Sequence, residues 1–197
     1  MPEICATLKN QGINLSSLKA LDFFAREGDW QTQYYANKVK QVHAWEIEKK
    51  FEKKLRQNLP RNAKITMGNS FKLILENKEK FDLAVIDNPQ GVFGDKDQYC
   101  EHFEALPLIT RALKKDAIII LNAKTLPFNY SPQKDWQERR NEFYKQEDCS
   151  SLKLPFVKSF YKKFLLLYGY LTKHSFFNLR PQESGLYSLT MIIKKNE

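Results

Sequence analysis

The sequence has few cysteines and no long hydrophobic stretch. Its three cysteines, Cys5, Cys100 and Cys149, stand too far apart for any pair to have the spacing of a metal site or a redox motif. The apolar run FLLLYGYL is far shorter than the roughly 20 residues that a membrane-crossing helix needs. The opening residues also lack the basic-then-apolar pattern of a targeting signal. We therefore expect a cytoplasmic protein with reduced thiols and no membrane partner.

A surplus of positive charge distinguishes the composition. The chain has 197 residues with 32 Lys and Arg against 23 Asp and Glu, a net charge of +9. Such a charge suits nucleic acid or an acidic ligand. The lysines are nevertheless scattered among acids, as in EIEKKFEKKLRQ, which is typical of solvated helix faces. Length and a hydrophobic content of 42% predict a single domain over residues 1–197, and nucleic acid is an open but not a favoured partner.

Predicted strands and helices alternate along most of the chain. The predicted strands are LKALDFF, QVHAWEIE, AKITMG, FDLAVID and AIIILNA. Repeated βα units imply a mostly parallel sheet with helices on both faces. SFFNLRP and LYSLTMIIKK, joined by QESG, predict a C-terminal hairpin. The expected fold class is α/β, a doubly wound, mostly parallel seven-stranded sheet whose last strand is antiparallel.

Two longer segments are predicted to be helices. The first is DQYCEHFEALPLITRALKK, residues 97–115, in which Pro107 should kink or split the helix. The second is PFVKSFYKKFLLLYGYLTK, residues 155–173, which precedes the hairpin.

Residues 124–151 form a polar insert after the fifth predicted strand. We predict a short helix from Trp136 to Tyr144 and expect the insert to cover an acceptor site as a lid. The residues expected to form its apolar wall and its anion-holding pair are Phe128, Tyr130, Trp136, Tyr144, Arg139 and Arg140. The alternative is that these aromatic residues pack on the core.

Polar residues follow the first two predicted strands. The first turn lies in ALDFFAREGDWQT, which has Gly28 as its one glycine, Asp22 at the end of the strand and Asp29 at the start of a helix. Glu46 ends the second strand, where a carboxylate can accept from both hydroxyls of a ribose, and Ile47 offers an apolar face to a purine. Asp29 could instead be an N-cap, and Glu46 a favourable charge at a helix start.

The third and fourth predicted strands also end in polar residues. Gly68, Asn69 and Ser70 follow the third strand, and DNPQG, which begins at Asp87, follows the fourth. Asn69 and Ser70 could bind an adenine edge or merely cap a helix. A carboxylate that closes an apolar strand is costly unless it is paired or faces a cleft. The carboxyl ends of parallel strands share one edge, so these groups predict a ligand site there.

The order of these motifs resembles that of the class I S-adenosylmethionine-dependent methyltransferases. The resemblance implies S-adenosylmethionine as the cofactor and methyl transfer to a small-molecule acceptor, which could be anionic. The alternatives are an RNA or DNA methyltransferase and a non-catalytic descendant that still binds the cofactor. By position, the resemblance implies that the cofactor-binding residues are Asp22, Phe24, Ala25, Glu27, Gly28, Asp29, Glu46, Ile47, Gly68, Asn69, Ser70 and Asp87.

The first turn departs from the glycine pattern of that family. Phe24 and Arg26 stand where glycines are usual. Glu27 and Asp29 are expected to favour a cofactor that carries a positive sulfur and an amino group. The same carboxylates would repel the pyrophosphate of a dinucleotide, whose site needs glycines and free N–H groups.

Asp87 and His102 are the candidate catalytic residues. The sequence DNPQ faintly resembles the Asn/Asp-Pro-Pro-aromatic motif of amino-group methyltransferases. Asp87 and Asn122 match two metal-ligand positions of catechol-type O-methyltransferases, but Leu121 occupies the place of a third, acidic ligand, so we expect no metal. His102 is either a base or a histidine on a helix surface.

Overall fold

The computed structural model describes residues 1–126, 134–180 and 185–196. Its helices and strands are α1 (Pro2–Asn10), β1 (Lys19–Asp22), α2 (Thr32–Ala36), β2 (Gln41–Glu46), α3 (Glu52–Asn58), β3 (Lys64–Met67), α4 (Ser70–Glu76), β4 (Phe81–Ile86), β5 (Val92–Phe93), β6 (Tyr99–Cys100), α5 (Ala105–Ala112), β7 (Leu113–Lys124), α6 (Lys134–Tyr144), α7 (Leu154–Leu167), β8 (Tyr170–Leu179) and β9 (Leu186–Lys195). Within these ranges, no helix is both long and apolar enough to cross a membrane.

Seven strands form one sheet in the order β3-β2-β1-β4-β7-β9-β8. The pairs among β1, β2, β3, β4 and β7 are parallel, and β9 runs antiparallel to both of its neighbours. The predicted doubly wound α/β fold is therefore confirmed, including the antiparallel last strand. The strand order reverses between β1 and β4, which is where open α/β sheets bind ligands.

Alternating side chains of the strands supply two separate hydrophobic clusters. Leu21 of β1 belongs to the cluster that α4, α5, α6 and α7 cover, and the neighbouring Ala20 belongs to the cluster under α1, α2 and α3. Because the sheet is buried on both faces, β4 and β7 have continuous apolar cores rather than an apolar-polar alternation.

The segment predicted as one helix over residues 97–115 contains three elements. Its start lies in the antiparallel β5–β6 hairpin, its middle forms α5, and its end opens β7. Pro107 is the third residue of α5 and does not kink it, because N–H groups in a first turn have no intrahelical partner to lose. The second predicted helix, over residues 155–173, ends at Leu167, and Gly169 adopts a φ of 81° before β8 begins.

The described part of the insert belongs to the hydrophobic core. Helix α6 matches the predicted helix, but Trp136 and Tyr144 are buried among the residues under α5 and α7. Arg140 is completely buried and forms an ion pair with Glu101. The described residues therefore support the packing alternative rather than a lid. Phe128, Tyr130 and most of the predicted QESG turn lie outside the described residues.

Candidate functional site

A cavity of about 660 Å³ lies at the carboxyl ends of β1, β2, β4 and β7. It coincides with the edge that the strand-end residues predict. The residues that line it are Phe24, Arg26, Trp30, Trp45, Glu46, Ile47, Glu48, Phe51, Asn69, Ser70, Phe71, Asp87, Asn88, Pro89, Gln90, Phe93, Gly94, Asp95, Gln98, Tyr99, Asn122, Arg180 and Leu186.

Glu46 is the buried carboxylate of this cavity, with an exposed fraction of 5%. Its Oε2 accepts from the backbone N–H of Arg26 at 2.7 Å, and its Oε1 accepts from the backbone N–H of Glu48 at 2.7 Å. Two backbone donors thus fix both oxygens, and each oxygen keeps a lone pair for a further donor. The neighbouring Ile47 is 58% exposed and lines the cavity, so both of these predicted residues lie in the cavity wall.

Aromatic rings form one wall of the cavity. Phe71 and Tyr99 are stacked with their centroids 3.6 Å apart, and Phe24 and Phe93 meet edge to face at 5.8 Å. The β5–β6 hairpin brings Phe93 and Tyr99 to this wall. Arg139 of α6 supports the same hairpin, because it donates to the carbonyls of Asp97 and Gln98 at 2.8 and 3.1 Å.

The polar residues after β3 have unequal positions. Asn69 and Ser70 both line the cavity, but the Asn69 side chain accepts from the backbone N–H of Phe71 at 2.9 Å and caps α4. Gly68 does not line the cavity. Its N–H donates to the Glu46 carbonyl at 2.8 Å, and its Cα faces Leu73.

The first turn has a geometry that the glycine pattern does not predict. Arg26 adopts a φ of 48°, a left-handed conformation that costs a non-glycine residue about 1–2 kcal/mol. Gly28 adopts a φ of 72°, and a Cβ there would stand 2.9 Å from Leu55. Gly28 is therefore required by the turn and by packing on α3. Arg26, rather than a glycine, faces the cavity.

Several residues assigned to the cofactor by position lie away from this cavity. Ala25 is packed in the cluster under α2, Glu27 forms an ion pair with Lys54 at 2.9 Å, and Asp29 borders a neighbouring surface groove. The expectation that Glu27 and Asp29 provide the acidic lining is not met by this arrangement.

Asp22 is buried on the other face of the sheet. Its Oδ2 accepts from the hydroxyls of Thr32 and of Tyr35, the latter at 2.9 Å, which ties the end of β1 to α2. Burial raises the pKa of Asp22 to about 7. The side chains of Leu21 and Phe23 take the opposite face, so the alternation of β1 turns Asp22 away from the cavity.

Asp87 lies in the cavity wall at the end of β4. Its Oδ1 accepts from Asn122 Nδ2 at 2.6 Å and forms an ion pair with Arg180 at 2.6 Å. Arg180 also donates to Asn122 Oδ1 at 2.8 Å, and the backbone N–H of Asn122 donates to Asn88 Oδ1 at 3.3 Å. The loop after β4 is thus held by residues from β7 and from the end of β8.

His102 does not reach the cavity. It is completely buried beside α6 and α7, where its Nε2 shares a hydrogen bond with the Tyr161 hydroxyl. Burial and the nearby Arg140 lower the pKa of His102 to about 3. The residue is neither on a helix surface nor placed to accept a proton from a ligand in the cavity, which corrects both of its predicted roles.

The cavity includes residues that the sequence does not single out, among them Trp30, Phe51 and Arg180. Trp30 and Phe51 follow β1 and β2 closely enough that proximity to a strand end could have identified them. Arg180 comes from the C-terminal hairpin, which reaches the site only because β9 lies beside β7. No spacing rule in the sequence points to it.

The lining is acidic on balance. Its formally charged residues are Glu46, Glu48, Asp87 and Asp95 against Arg26 and Arg180. A cavity with this balance favours a ligand with positive charge. Across the described ranges, no three His, Cys, Asp or Glu side chains are grouped so that they could hold a metal ion.

Comparison with solved structures shows which proteins share this fold. TYW2 from M. jannaschii, solved in complex with AdoMet, aligns with a TM-score of 0.58 and 12% identity over 100% of this chain and 77% of that chain. An rRNA methylase from Streptococcus thermophilus aligns with a TM-score of 0.54 and 11% identity over 100% of this chain and 98% of that chain. A Klebsiella pneumoniae structure provisionally named as an O-methyltransferase aligns with a TM-score of 0.59 and 13% identity over 100% of this chain and 79% of that chain.

The chain has a class I methyltransferase-like fold. The predicted resemblance is confirmed at the level of architecture, since structures named as methyltransferases align over 100% of this chain. No protein-family model matches the chain, and no curated protein sequence matches it.

Proposed function

We propose that this protein is an S-adenosylmethionine-dependent methyltransferase whose cofactor occupies the cavity at the carboxyl edge of the sheet. The observation that carries the proposal is Glu46, a buried carboxylate at the end of β2 with both oxygens oriented by backbone donors. A ribose diol offers two O–H donors that such a carboxylate can accept. The TYW2 structure of the same fold is a complex with AdoMet, which supports this choice of ligand.

The walls of the cavity suit the other parts of that cofactor. Ile47 and Phe51 offer apolar surface to adenine, and Ser70 and Asn69 add polar groups to the same lining. The excess of carboxylates over arginines favours a sulfonium cation. When bound, the cofactor supplies the electrophilic methyl group. The residues of this chain orient it and keep an acceptor in line, which is where much of the rate of methyl transfer can arise.

The acceptor is proposed to approach the wall formed by Asp87 and Gln90. This wall is fixed by Asn122 and Arg180, so an acceptor would meet a rigid surface rather than a mobile loop. The Asp87 carboxylate in this wall would be the group that accepts a proton from an acceptor. We propose a small-molecule acceptor as the first candidate.

Nucleic acid is the second candidate acceptor, because the opposite edge of the sheet carries a basic groove. The groove has a volume of about 710 Å³, and its charged lining residues are Lys80, Arg111, Lys114, Lys115, Lys195, Asp82 and Asp116. Phosphates bind such clusters of cations. Filter binding of RNA across a salt series separates the candidates, since a steep fall in affinity with salt supports nucleic acid and negligible binding supports the small molecule.

Isothermal titration calorimetry tests the cofactor proposal. We expect saturable binding of S-adenosylmethionine and S-adenosylhomocysteine, and no binding of NAD, whose pyrophosphate the carboxylates of the cavity would repel. Absence of binding by both adenosyl compounds to folded protein would refute the proposal. Binding without methyl transfer to any RNA or small-molecule pool would favour the non-catalytic descendant.

A further inference from the structure

Arg26 occupies an unusual position in the cavity. It has a left-handed φ of 48°, which arginine rarely adopts, and it stands where the resemblance leads one to expect a glycine. Residues held in such conformations cluster at ligand sites, because the surrounding structure must enforce them. Here the Arg26 backbone N–H is the donor that orients Glu46.

The side chain of Arg26 is held by aromatic rings. Its guanidinium carbon lies 5.3 Å from the ring centroid of Phe51 and 5.6 Å from that of Trp30. Both rings line the cavity. Cation–π contacts of this kind orient an arginine without neutralising it, so its N–H groups stay available to an anion.

The two arginines of the lining, Arg26 and Arg180, differ in whether a carboxylate neutralises their charge. Arg180 forms an ion pair with Asp87 at 2.6 Å. Among the residues that the structure describes, Arg26 has no carboxylate within ion-pair distance. Glu48, which also lines the cavity, pairs with Lys50 at 3.2 Å, and Glu46 contacts Arg26 through the backbone N–H rather than through the guanidinium. Arg26 is thus the uncompensated cation of a cavity that is otherwise acidic.

We infer that Arg26 binds the carboxylate of the amino-acid portion of the adenosyl cofactor and selects ligands that carry it. The inference rests on the proposed function. That cofactor has one negative group, and a cavity with net negative charge needs a fixed cation to accept it. A planar guanidinium offers two parallel N–H donors to a carboxylate, and the rings of Trp30 and Phe51 set its plane.

Two ligands that share adenosine separate this role from general packing. S-adenosylhomocysteine carries the carboxylate, and 5′-methylthioadenosine lacks the whole amino-acid portion. We expect Arg26→Gln to lower the affinity for S-adenosylhomocysteine by about ten-fold or more, which is the usual effect of losing a hydrogen bond between charged groups. The affinity for 5′-methylthioadenosine should change by less than about two-fold. Arg26→Gly should behave in the same way while relieving the backbone strain, which separates charge from conformation.

Arg56→Gln is the matched control, since Arg56 pairs with Glu52 on the surface of α3 outside the cavity. It should leave both affinities unchanged. An equal loss of affinity for both ligands in the Arg26 variants would show that Arg26 only packs against the rings. Unchanged affinities would show that Arg26 does not contact the ligand carboxylate. Either result overturns the inference. If the unaltered protein binds neither ligand, the proposed function fails and the inference falls with it.

Discussion

Two regions of this protein combine a tryptophan with arginine side chains, one at the cavity and one in the core. Trp30 is 51% exposed at the cavity, and the guanidinium carbons of Arg26 and Arg180 lie 5.6 and 5.2 Å from its ring centroid. Trp136 is 8% exposed, and it donates to Glu101 at 2.9 Å within the core that Arg140 also enters. The first group faces a space for a ligand, and the second fills a space inside the protein.

The difference shows that residue type alone does not assign a binding role. Arg139 and Arg140 are the arginines that the sequence predicts for an anionic acceptor, yet they hold the β5–β6 hairpin and a buried carboxylate, respectively. The arginines that line the cavity are Arg26, which follows a strand end, and Arg180. Position at the carboxyl edge of the sheet distinguishes the two groups.

The largest effect on the free energy of unfolding is expected when the buried ion pair between Arg140 and Glu101 is removed. Arg140→Ala leaves Glu101 charged and completely buried without its partner, and we expect it to lower the free energy of unfolding by about 3–5 kcal/mol in urea titrations. The matched change Arg26→Ala, at the exposed group, should lower it by less than about 1 kcal/mol. Equal losses in the two variants would remove the distinction between the regions.

The next effect concerns binding rather than stability. Glu46→Gln keeps the size of the side chain but removes its charge, and we expect cofactor affinity to fall by about 1–3 kcal/mol in calorimetry. Glu27→Gln, at a carboxylate of the first turn that lies outside the cavity, is the control and should leave affinity unchanged. The reverse result would restore the positional assignment of Glu27 and reduce Glu46 to a structural role.

A smaller effect should appear in the pH dependence of the free energy of unfolding, because His102 is buried beside the same core group. The pKa of His102 is lowered to about 3 in the folded protein and has a value near 6.5 when the chain is unfolded. Between these values the unfolded state binds a proton that the folded state does not, so His102 makes stability fall as pH falls below 6.5. At pH 5 its contribution is a loss of up to about 2 kcal/mol relative to neutral pH.

Unfolding measurements at pH 7 and pH 5 on the unaltered protein and on His102→Gln isolate this contribution. The unaltered protein should lose more stability on acidification than the variant does. Asp22 works in the opposite direction: its raised pKa makes its contribution fall as pH rises from about 4 to about 7, and it cancels in the comparison. Parallel losses in both proteins would contradict a neutral buried His102.

The smallest effect on stability is expected at Trp30. Because half of its ring is exposed, Trp30→Ala should change the free energy of unfolding by less than about 1 kcal/mol, against about 3–5 kcal/mol for Trp136→Ala. Paired thermal or urea melts of the two variants make this comparison. A large loss at Trp30 would place it in the core and weaken its assignment to the cavity wall.

The sheet was predictable because hydrophobic pattern decides it. Continuous apolar runs such as FDLAVID and AIIILNA become β4 and the centre of β7, and the alternation of strands with helices leaves few topologies. The edge that carries the cavity followed from the same pattern, as did the presence of Glu46 and Asp87 in its lining.

The orientation of single side chains was not predictable in the same way. Asp22 and Glu46 both end parallel strands, but Asp22 faces α2 and Glu46 faces the cavity, which depends on where each strand bends into its turn. His102 lies in a predicted helix that is in fact a turn before α5, because the β5–β6 hairpin takes residues from its start. Such competition between local hydrogen bonds is decided by tertiary packing.

A crystal structure of the protein with S-adenosylhomocysteine tests the central claim most directly. We expect ligand density in the cavity at the ends of β1, β2 and β4, with the ribose hydroxyls on Glu46, adenine against Ile47, and the carboxylate on Arg26. Density for the ligand elsewhere on the protein, or a cavity that stays empty at saturating ligand, would contradict the claim that this edge of the sheet is the cofactor site.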